Sequence, residues 1–442
     1  MGNRSDLAPA SRDRPAKCSS GRPAAVATIL LAALALCGGA ASAAEPVRLN
    51  CDAPHQRSMD LAPIGAGPLA LPAVYCQRIR ATPYPKSAPL ISPDARAIAY
   101  YEDTTTLRVA ELADRDGWTD HGIGVTFSRF GSDFRSVPSF AWDTHSRFLW
   151  AAAQERVHPS GFAKTPLQAV NAVRSGGVQL LPALAHPAGP LDGLLWANGD
   201  GLAVAQFGTR GGFYRPEHAD PSPTFGIVDA RRGAVLDTLP FAAVEPLRER
   251  LGTSPYVQVR NAAATTLADG RVRAFLNVGQ WLVWTQGEPP RLIADPYSGE
   301  QHARIAISPD GTRLLVARLL RTEGGWCDRR RGCAPGKPVE GVLAALHDLA
   351  DGRALWTIRA TVEHDYEYPT PAIGPDGRFA LVGLVPAGAP PEIGLVAMDT
   401  GAVVQRLPAP GGPYAMGFAQ GGRTVWTHAH GLTALYEVAA SP

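Results

Sequence analysis

The stretch Ala372-Ile373-Gly374-Pro375-Asp376-Gly377-Arg378-Phe379-Ala380-Leu381-Val382-Gly383-Leu384 reads as a strand, a tight turn and a second strand. Asp-Gly between apolar runs is a strong hairpin signal, because glycine adopts positive φ at no steric cost. A second hairpin follows over Gly394–Val404, with Gly401 at its turn. The two hairpins make one four-stranded unit. Copies of such a unit along a chain confine it to a repeat architecture, in which each unit buries its apolar face against the next.

Degraded copies do recur. The turns are Ser92-Pro93-Asp94-Ala95-Arg96, Trp142-Asp143-Thr144-His145-Ser146-Arg147, Asn198-Gly199-Asp200-Gly201, Leu267-Ala268-Asp269-Gly270-Arg271, Ser308-Pro309-Asp310-Gly311-Thr312-Arg313, Gly374–Arg378 and Ala419-Gln420-Gly421-Gly422-Arg423. Anchored on the Asp of each copy, or on Gly421 in the last, they lie 41 to 69 residues apart, which leaves room for loop insertions. Outer strands recur at Leu107–Leu112, Phe225–Asp229 and Val342–Asp348. One helix is expected, over Phe241–Leu251, in an insertion between units. The pattern predicts an all-β fold: a seven-bladed β-propeller of four-stranded antiparallel blades over residues 87–442. The last copy has only three strands, so a strand from residues 44–86 is expected to supply the fourth and close the ring. Closure removes exposed sheet edges.

The N-terminus is read apart from the fold. A basic stretch to Arg22 precedes the apolar run Ala24–Leu36 and the small residues Ala41-Ser42-Ala43, the layout of a cleaved secretory signal over residues 1–43. The run is shorter than the roughly 20 residues of a membrane span, so no transmembrane segment is expected after cleavage. Cys37 follows Leu36 where a lipidation site favours a small residue, which points to cleavage near Ala43 instead. The predicted localisation is periplasmic or secreted. Without residues 1–43 the chain carries 37 basic and 38 acidic side chains, a net charge of −1, which removes the electrostatic case for nucleic acid.

Cys51, Cys76, Cys327 and Cys333 remain in the exported part, and spacing pairs them as Cys51–Cys76 and Cys327–Cys333 in an oxidising compartment. The alternative is a metal site, but no Cys-x-x-Cys or nearby His pair supports it. Gly65-Ala66-Gly67-Pro68-Leu69-Ala70 superficially matches a dinucleotide fingerprint. Pro63, Pro68 and Pro72 argue against the helix that the fingerprint needs, so the stretch reads as a loop.

Ile305-Ala306-Ile307-Ser308-Pro309-Asp310-Gly311 and Ile373–Gly377 resemble the Ser-Pro-Asp-Gly turns of TolB-like, YVTN and WD40-type β-propellers. The resemblance spans roughly 350 residues at the level of architecture and implies fold rather than function, since such propellers host scaffolds, binders and enzymes. The chain lacks the regular Gly-His and Trp-Asp pairs of WD40 repeats and the metal-binding signature of lactonase-type propellers.

No nucleophile elbow and no His-Glu-x-x-His helix is present. The chain ends soon after the last copy, so no hydrolase domain is expected to follow. His428 and His430 have the spacing of two residues on one strand face and are weighed as metal ligands against ordinary strand residues. His364–Tyr368, Arg210–Arg215 and the basic tip Cys327–Cys333 are weighed as solvated loops against recognition elements.

Counting eight residues back from each anchor gives Lys86, Arg135, Asp192, Asn261, His302, Tyr368 and Pro413, beside Tyr414. In a propeller, inner-strand starts converge on one mouth of the central channel. Arg135, His302 and Tyr368 are therefore the candidate ligand-binding residues. The functional expectation is a non-catalytic scaffold binding a protein or small-molecule ligand, with no cofactor and no metal. The alternative is a hydrolase or oxidoreductase with its site at the channel mouth.

Overall fold

The computed structural model describes residues between Leu61 and Ala439; outside the description are the connections 77–88, 127–139, 154–167, 208–223, 241–260, 298–303, 363–368 and 410–414 and some shorter stretches. The chain divides into two compact units, Met1–Pro46 and Val47–Pro442, and every described residue belongs to the second. The expected leader and the expected helix at Phe241–Leu251 lie outside the described residues.

What is described is all-β: seven four-stranded antiparallel sheets and one two-stranded hairpin. Sheet 1 comprises Leu90–Ile91, Ala97–Tyr101, Thr106–Glu111 and Asp120–Thr126, and sheet 2 Phe140–Trp142, Phe148–Ala153, Gln168–Val173 and Val178–Leu180. Sheet 3 comprises Leu191–Trp196, Leu202–Phe207, Thr224–Asp229 and Ala234–Pro240, and sheet 4 Asn261–Thr266, Val272–Asn277, Trp281–Thr285 and Arg291–Ile293. Sheet 5 comprises Arg304–Ile307, Arg313–Ala317, Val339–Asp348 and Ala354–Val362, and sheet 6 Ala372–Ile373, Phe379–Leu384, Glu392–Ala397 and Val403–Pro408. Sheet 7 comprises Ala415–Ala419, Thr424–Ala429 and Leu432–Glu437, with Ala73–Cys76 paired to the last of these.

Each of the seven expected turns joins the first and second strands of a sheet. Ser308 shows why the sequence turns there. Its hydroxyl donates to the Asp310 carboxylate and accepts from Arg313 N at 2.9 Å, while Thr312 N donates to Asp310 at 3.0 Å. Burial pushes the Asp310 carboxyl up, but the hydrogen bonds from Ser308 and Thr312 outweigh it and hold its pKa below the usual carboxylate value. Gly311 and Gly377 each supply φ of +68°. The same left-handed position is filled by Ala95 and Ser146 in sheets 1 and 2, both at φ +58°.

Sheet 2 corrects the sequence frame. Asp143 N donates to Phe148 O and Asp143 Oδ1 accepts from Arg147 N and Phe148 N, as Ser92 does with Ala97 and Arg96. Asp143 thus occupies the serine position of the turn, and His145 the aspartate position. A carboxylate and a hydroxyl both accept from turn N–H groups, so sequence pattern alone does not separate them.

Apolar faces are buried between successive sheets. Trp284, Val272, Leu276 and Leu282 of sheet 4 pack with Phe225, Ile227 and Leu239 of sheet 3. Trp281 and Phe275 on the opposite face pack with Leu314 and Val316 of sheet 5. Tryptophan N–H groups tie neighbours at the backbone: Trp142 Nε1 donates to Leu90 O, Trp150 Nε1 to Gly199 O and Trp356 Nε1 to Met398 O. Sheet 7 shares one core with sheet 6 (Tyr436, Met416, Leu381, Leu395) and another with sheet 1 (Trp426, Ala415, Ile98, Tyr100). Gln420 N also donates to Pro93 O at 2.5 Å. The sheets therefore contact in cyclic order, and the last meets the first.

The N-terminal stretch does more than provide one strand. Ile64 and Arg406 form a backbone bridge, as do Leu69 and Val438, so residues 61–76 run along sheets 6 and 7. Leu69 N donates to the Gln405 side chain at 2.7 Å, and Tyr436 Oη donates to Leu61 O at 3.1 Å. Gly65–Ala70 is thus a loop, as expected, anchored through Leu69 onto sheets 6 and 7, and among the described residues no strand leads into it and no helix follows it. Gly67 is required there, because a Cβ would lie 2.6 Å from Gln405 Cδ.

Candidate functional site

Strand direction sorts the connections onto two edges of the sheets. The first-to-second and third-to-fourth connections share one edge, the turn edge. Most of its segments are short, such as 230–233, 286–290, 349–353 and 398–402, and the longest is 112–119. The second-to-third connections and those between sheets share the other, the loop edge. It carries the long segments 127–139, 154–167, 208–223, 241–260 and 318–338.

The eight-residue count meets this edge unevenly. It falls on the first strand of sheet 3, at Asp192, and sheet 4, at Asn261. In the other five sheets the first strand begins later, at Leu90, Phe140, Arg304, Ala372 and Ala415. First strands range from two to six residues, so a fixed offset does not track their starts. Arg135 was reached from Asp143, which holds a different turn position. Arg135, His302 and Tyr368 lie outside the described residues, as do Lys86, Pro413, Tyr414, His364–Tyr368 and Arg210–Arg215.

Of His428 and His430, only the first is described. The strand Thr424–Ala429 ends before His430, which lies outside the described residues. His428 is buried and its Nδ1 is 2.9 Å from Thr433 Oγ1 on the adjacent strand. Among the described residues no group of three His, Cys, Asp or Glu side chains is placed to hold a metal. No helix among them is long and apolar enough to cross a membrane.

Cys327 and Cys333 stand directly opposite each other in the two-stranded hairpin Trp326–Asp328/Gly332–Ala334, which springs from the loop edge of sheet 5. Cys76 ends the strand Ala73–Cys76, and Cys51 lies outside the described residues.

A polar cluster that the sequence does not announce lies between sheets 4 and 5. The Tyr297 hydroxyl and His347 Nε2 are 2.7 Å apart, and His347 Nδ1 lies 2.9 Å from Gly352 O. The carbonyl can only accept, so His347 carries its proton on Nδ1 and Tyr297 donates to Nε2. Trp281 meets the imidazole edge-on at 5.0 Å, and the Arg318 guanidinium lies 4.6 Å from the Tyr297 ring centre. Burial lowers the His347 pKa, opposed by the Gly352 hydrogen bond and the Asp295 charge, so the ring is held neutral. His347 is 1% exposed, so its contact with Tyr297 ties the third strand of sheet 5 to the segment that follows sheet 4. Asp295 also accepts from Asn277 Nδ2 at 3.3 Å and from Tyr297 N at 2.9 Å. Asn277 closes the second strand of sheet 4, opposite Asn261, and both are buried at the loop edge.

Seven four-stranded antiparallel sheets in cyclic contact fit a β-propeller. No protein-family model and no curated protein matches the chain. Among solved structures it is similar to a chain of "Crystal Structure of Mitotic Checkpoint Complex", with 13% sequence identity and a TM-score of 0.48, over 83% of this chain and 91% of that one. A likeness at that identity and TM-score says nothing of what this chain binds.

Proposed function

We propose that the seven sheets are the blades of a closed seven-bladed β-propeller, with Ala73–Cys76 as closing strand, acting as a non-catalytic scaffold that binds a protein or small-molecule ligand at its loop edge. The observation that carries this reading is the asymmetry of the two edges: every connection longer than eight residues lies at one, and the other carries tight turns and the eight-residue segment 112–119. A rigid ring that gathers its long loops on one face is built for recognition, because packed strands hold the loops in fixed relation. The leader-like N-terminus favours export to the periplasm or beyond. The facing backbone positions of Cys327 and Cys333 favour a disulfide there, since opposed residues of an antiparallel pair have Cα atoms roughly 4.5–5.5 Å apart, within the span a disulfide bridges.

The test is loop replacement. Exchanging residues 208–223 for a short Gly/Ser connector is expected to leave the melting curve intact and abolish capture of ligand from envelope extract or growth medium. The same exchange at 286–290, on the turn edge, should leave capture intact. Capture that survives the first exchange and fails with the second contradicts the assignment.

A further inference from the structure

The strand Ala354–Val362 ends sheet 5 on its outer side, and among the described residues no strand pairs with its other edge. The first strands of neighbouring sheets contact one another, sheet 4 with 5, 5 with 6 and 6 with 7, so the fourth strands face outward. At nine residues this is the longest of the seven outer strands. An unpaired edge of that length offers a row of N–H and C=O groups to another chain unless something blunts it. The other outer edges are blunted. Those of sheets 2, 4 and 7 are three or four residues long. That of sheet 1 contains Gly122 and Gly124, and that of sheet 3 ends in Pro240. The outer strand of sheet 6 ends in Pro408 and is covered at Arg406 by Ile64, through backbone hydrogen bonds of 2.8 and 3.4 Å. Ala354–Val362 has no proline, glycine or lysine, and Thr357, Ile358, Thr361 and Val362 suit it to a pleated strand. One face is committed to the core, where Trp356, Ile358 and Val362 pack with sheet 6. The other presents Leu355, 39% exposed, with Thr357 and Arg359.

We propose that this edge pairs antiparallel with the same strand of a second copy, about a two-fold axis at Ile358. The occupant is selected by the strand's complementarity to itself. A two-fold antiparallel pairing sets one residue opposite its own copy, and that choice fixes every other pair. Centring on Ile358 pairs all nine residues, with Arg359 opposite Thr357 and Leu355 opposite Thr361. Centring on Arg359 sets it against itself, and centring on Trp356 sets Arg353 against Arg359. Like charges directly opposite are destabilising. Centring on Thr357 pairs only residues 354–360, and centring on Ala360 only residues 358–362. The Arg359 charge is met within each copy by Glu340 Oε1 at 3.4 Å, so its place opposite Thr357 leaves no charge unanswered. The pairing is independent of which edge of the sheets binds a ligand.

Nine residues a side fall short of the roughly 20–30 of a stable interface, so a concentration-dependent dimer is expected. Sedimentation velocity of the purified full chain over a dilution series reads it. Thr357 is exposed, so charged substitutions there should leave the melting curve in place. Thr357→Arg sets like charges opposite each other twice in every dimer and is expected to weaken dimerisation about tenfold. Thr357→Glu sets opposite charges there and is expected to strengthen it by about the same factor. The register is read with the double variant Leu355→Cys/Thr361→Cys. Six residues apart on one strand, roughly 20 Å, these positions cannot bridge within a copy. Oxidation is expected to give a covalent dimer that the parent does not form and that reduction releases.

A chain that stays monomeric at every concentration overturns the proposal, and so does a dimer that both Thr357 variants leave unchanged or that the paired cysteines fail to link. A monomer whose outer strand gains amide-exchange protection only when a synthetic β-strand peptide is added also overturns it, by making the occupant a partner's extended segment. The loop-edge reading stands or falls separately, on the replacement of residues 208–223.

Discussion

Gln405 is the buried side chain that fastens the N-terminal stretch to sheet 6, and truncating it measures how much of the fold depends on that attachment. Its Oε1 accepts from Leu69 N at 2.7 Å in a buried setting, and its Nε2 donates to Gly65 O and Leu69 O, both at 3.4 Å. Gln405→Ala leaves the Leu69 N–H buried without a partner, which costs about 1–3 kcal/mol. The two longer contacts add little. Gly67→Ala attacks the same place from the other side, since the new Cβ would sit 2.6 Å from Gln405 Cδ, and overpacking of this kind costs roughly 1–3 kcal/mol. The two substitutions break one contact, so their costs should not add: the double variant is expected to lose less than the sum, by about 1 kcal/mol or more. Urea unfolding of the four proteins supplies the cycle, and proteolysis of residues 61–76 in the native state reports whether that stretch has come loose. Additive costs, or a Gln405→Ala variant as stable and as protease-resistant as the parent, would refute Gln405 as the fastening.

Further outcomes follow from other places in the fold. His347 is held neutral with a lowered pKa, so the unfolded chain takes up its proton at higher pH than the folded one. Its contribution is complete above about pH 6.5 and is lost as pH falls through the lower folded value, so the urea midpoint should drop between pH 7 and 5. The Tyr297→Phe variant should be less stable at pH 7, because Nε2 loses its donor. Ala95 holds φ of +58°, so Ala95→Gly should stabilise by up to about 1 kcal/mol, read as a raised urea midpoint. Cys327 and Cys333 should resist alkylation in the exported protein and react after reduction, as peptide mass spectrometry would show; free thiols without reductant would remove the disulfide.

The turns were legible because their chemistry is local. In Ser308-Pro309-Asp310-Gly311 each group acts on atoms within five residues, so the stretch declares itself wherever it occurs. The missing fourth strand was legible as well, since Leu432–Glu437 would otherwise be an unpaired edge. Legibility ends where partners are distant. Leu69 and Gln405 are 336 residues apart, so the loop was legible but its anchorage on sheet 6 was not. Tyr297 and His347 meet only because sheets 4 and 5 are stacked, and neither has a motif around it. Asn261 stood in the eight-residue series, but nothing in the sequence distinguishes it from Asp192. Its burial opposite Asn277 is a property of the packed state. The frame itself slipped at Asp143, where a carboxylate does the work of a serine hydroxyl.

The most direct test of the account is to ask which edge of the ring touches what the protein binds. Photo-crosslinking residues placed at Lys337, exposed beside the third strand of sheet 5 on the loop edge, and at Glu288, exposed on the turn edge of sheet 4, sample the two edges on one stable scaffold. The account predicts a discrete crosslinked product from position 337, competed by excess unlabelled protein, and none from position 288. A competed product from position 288 with none from position 337 would contradict it.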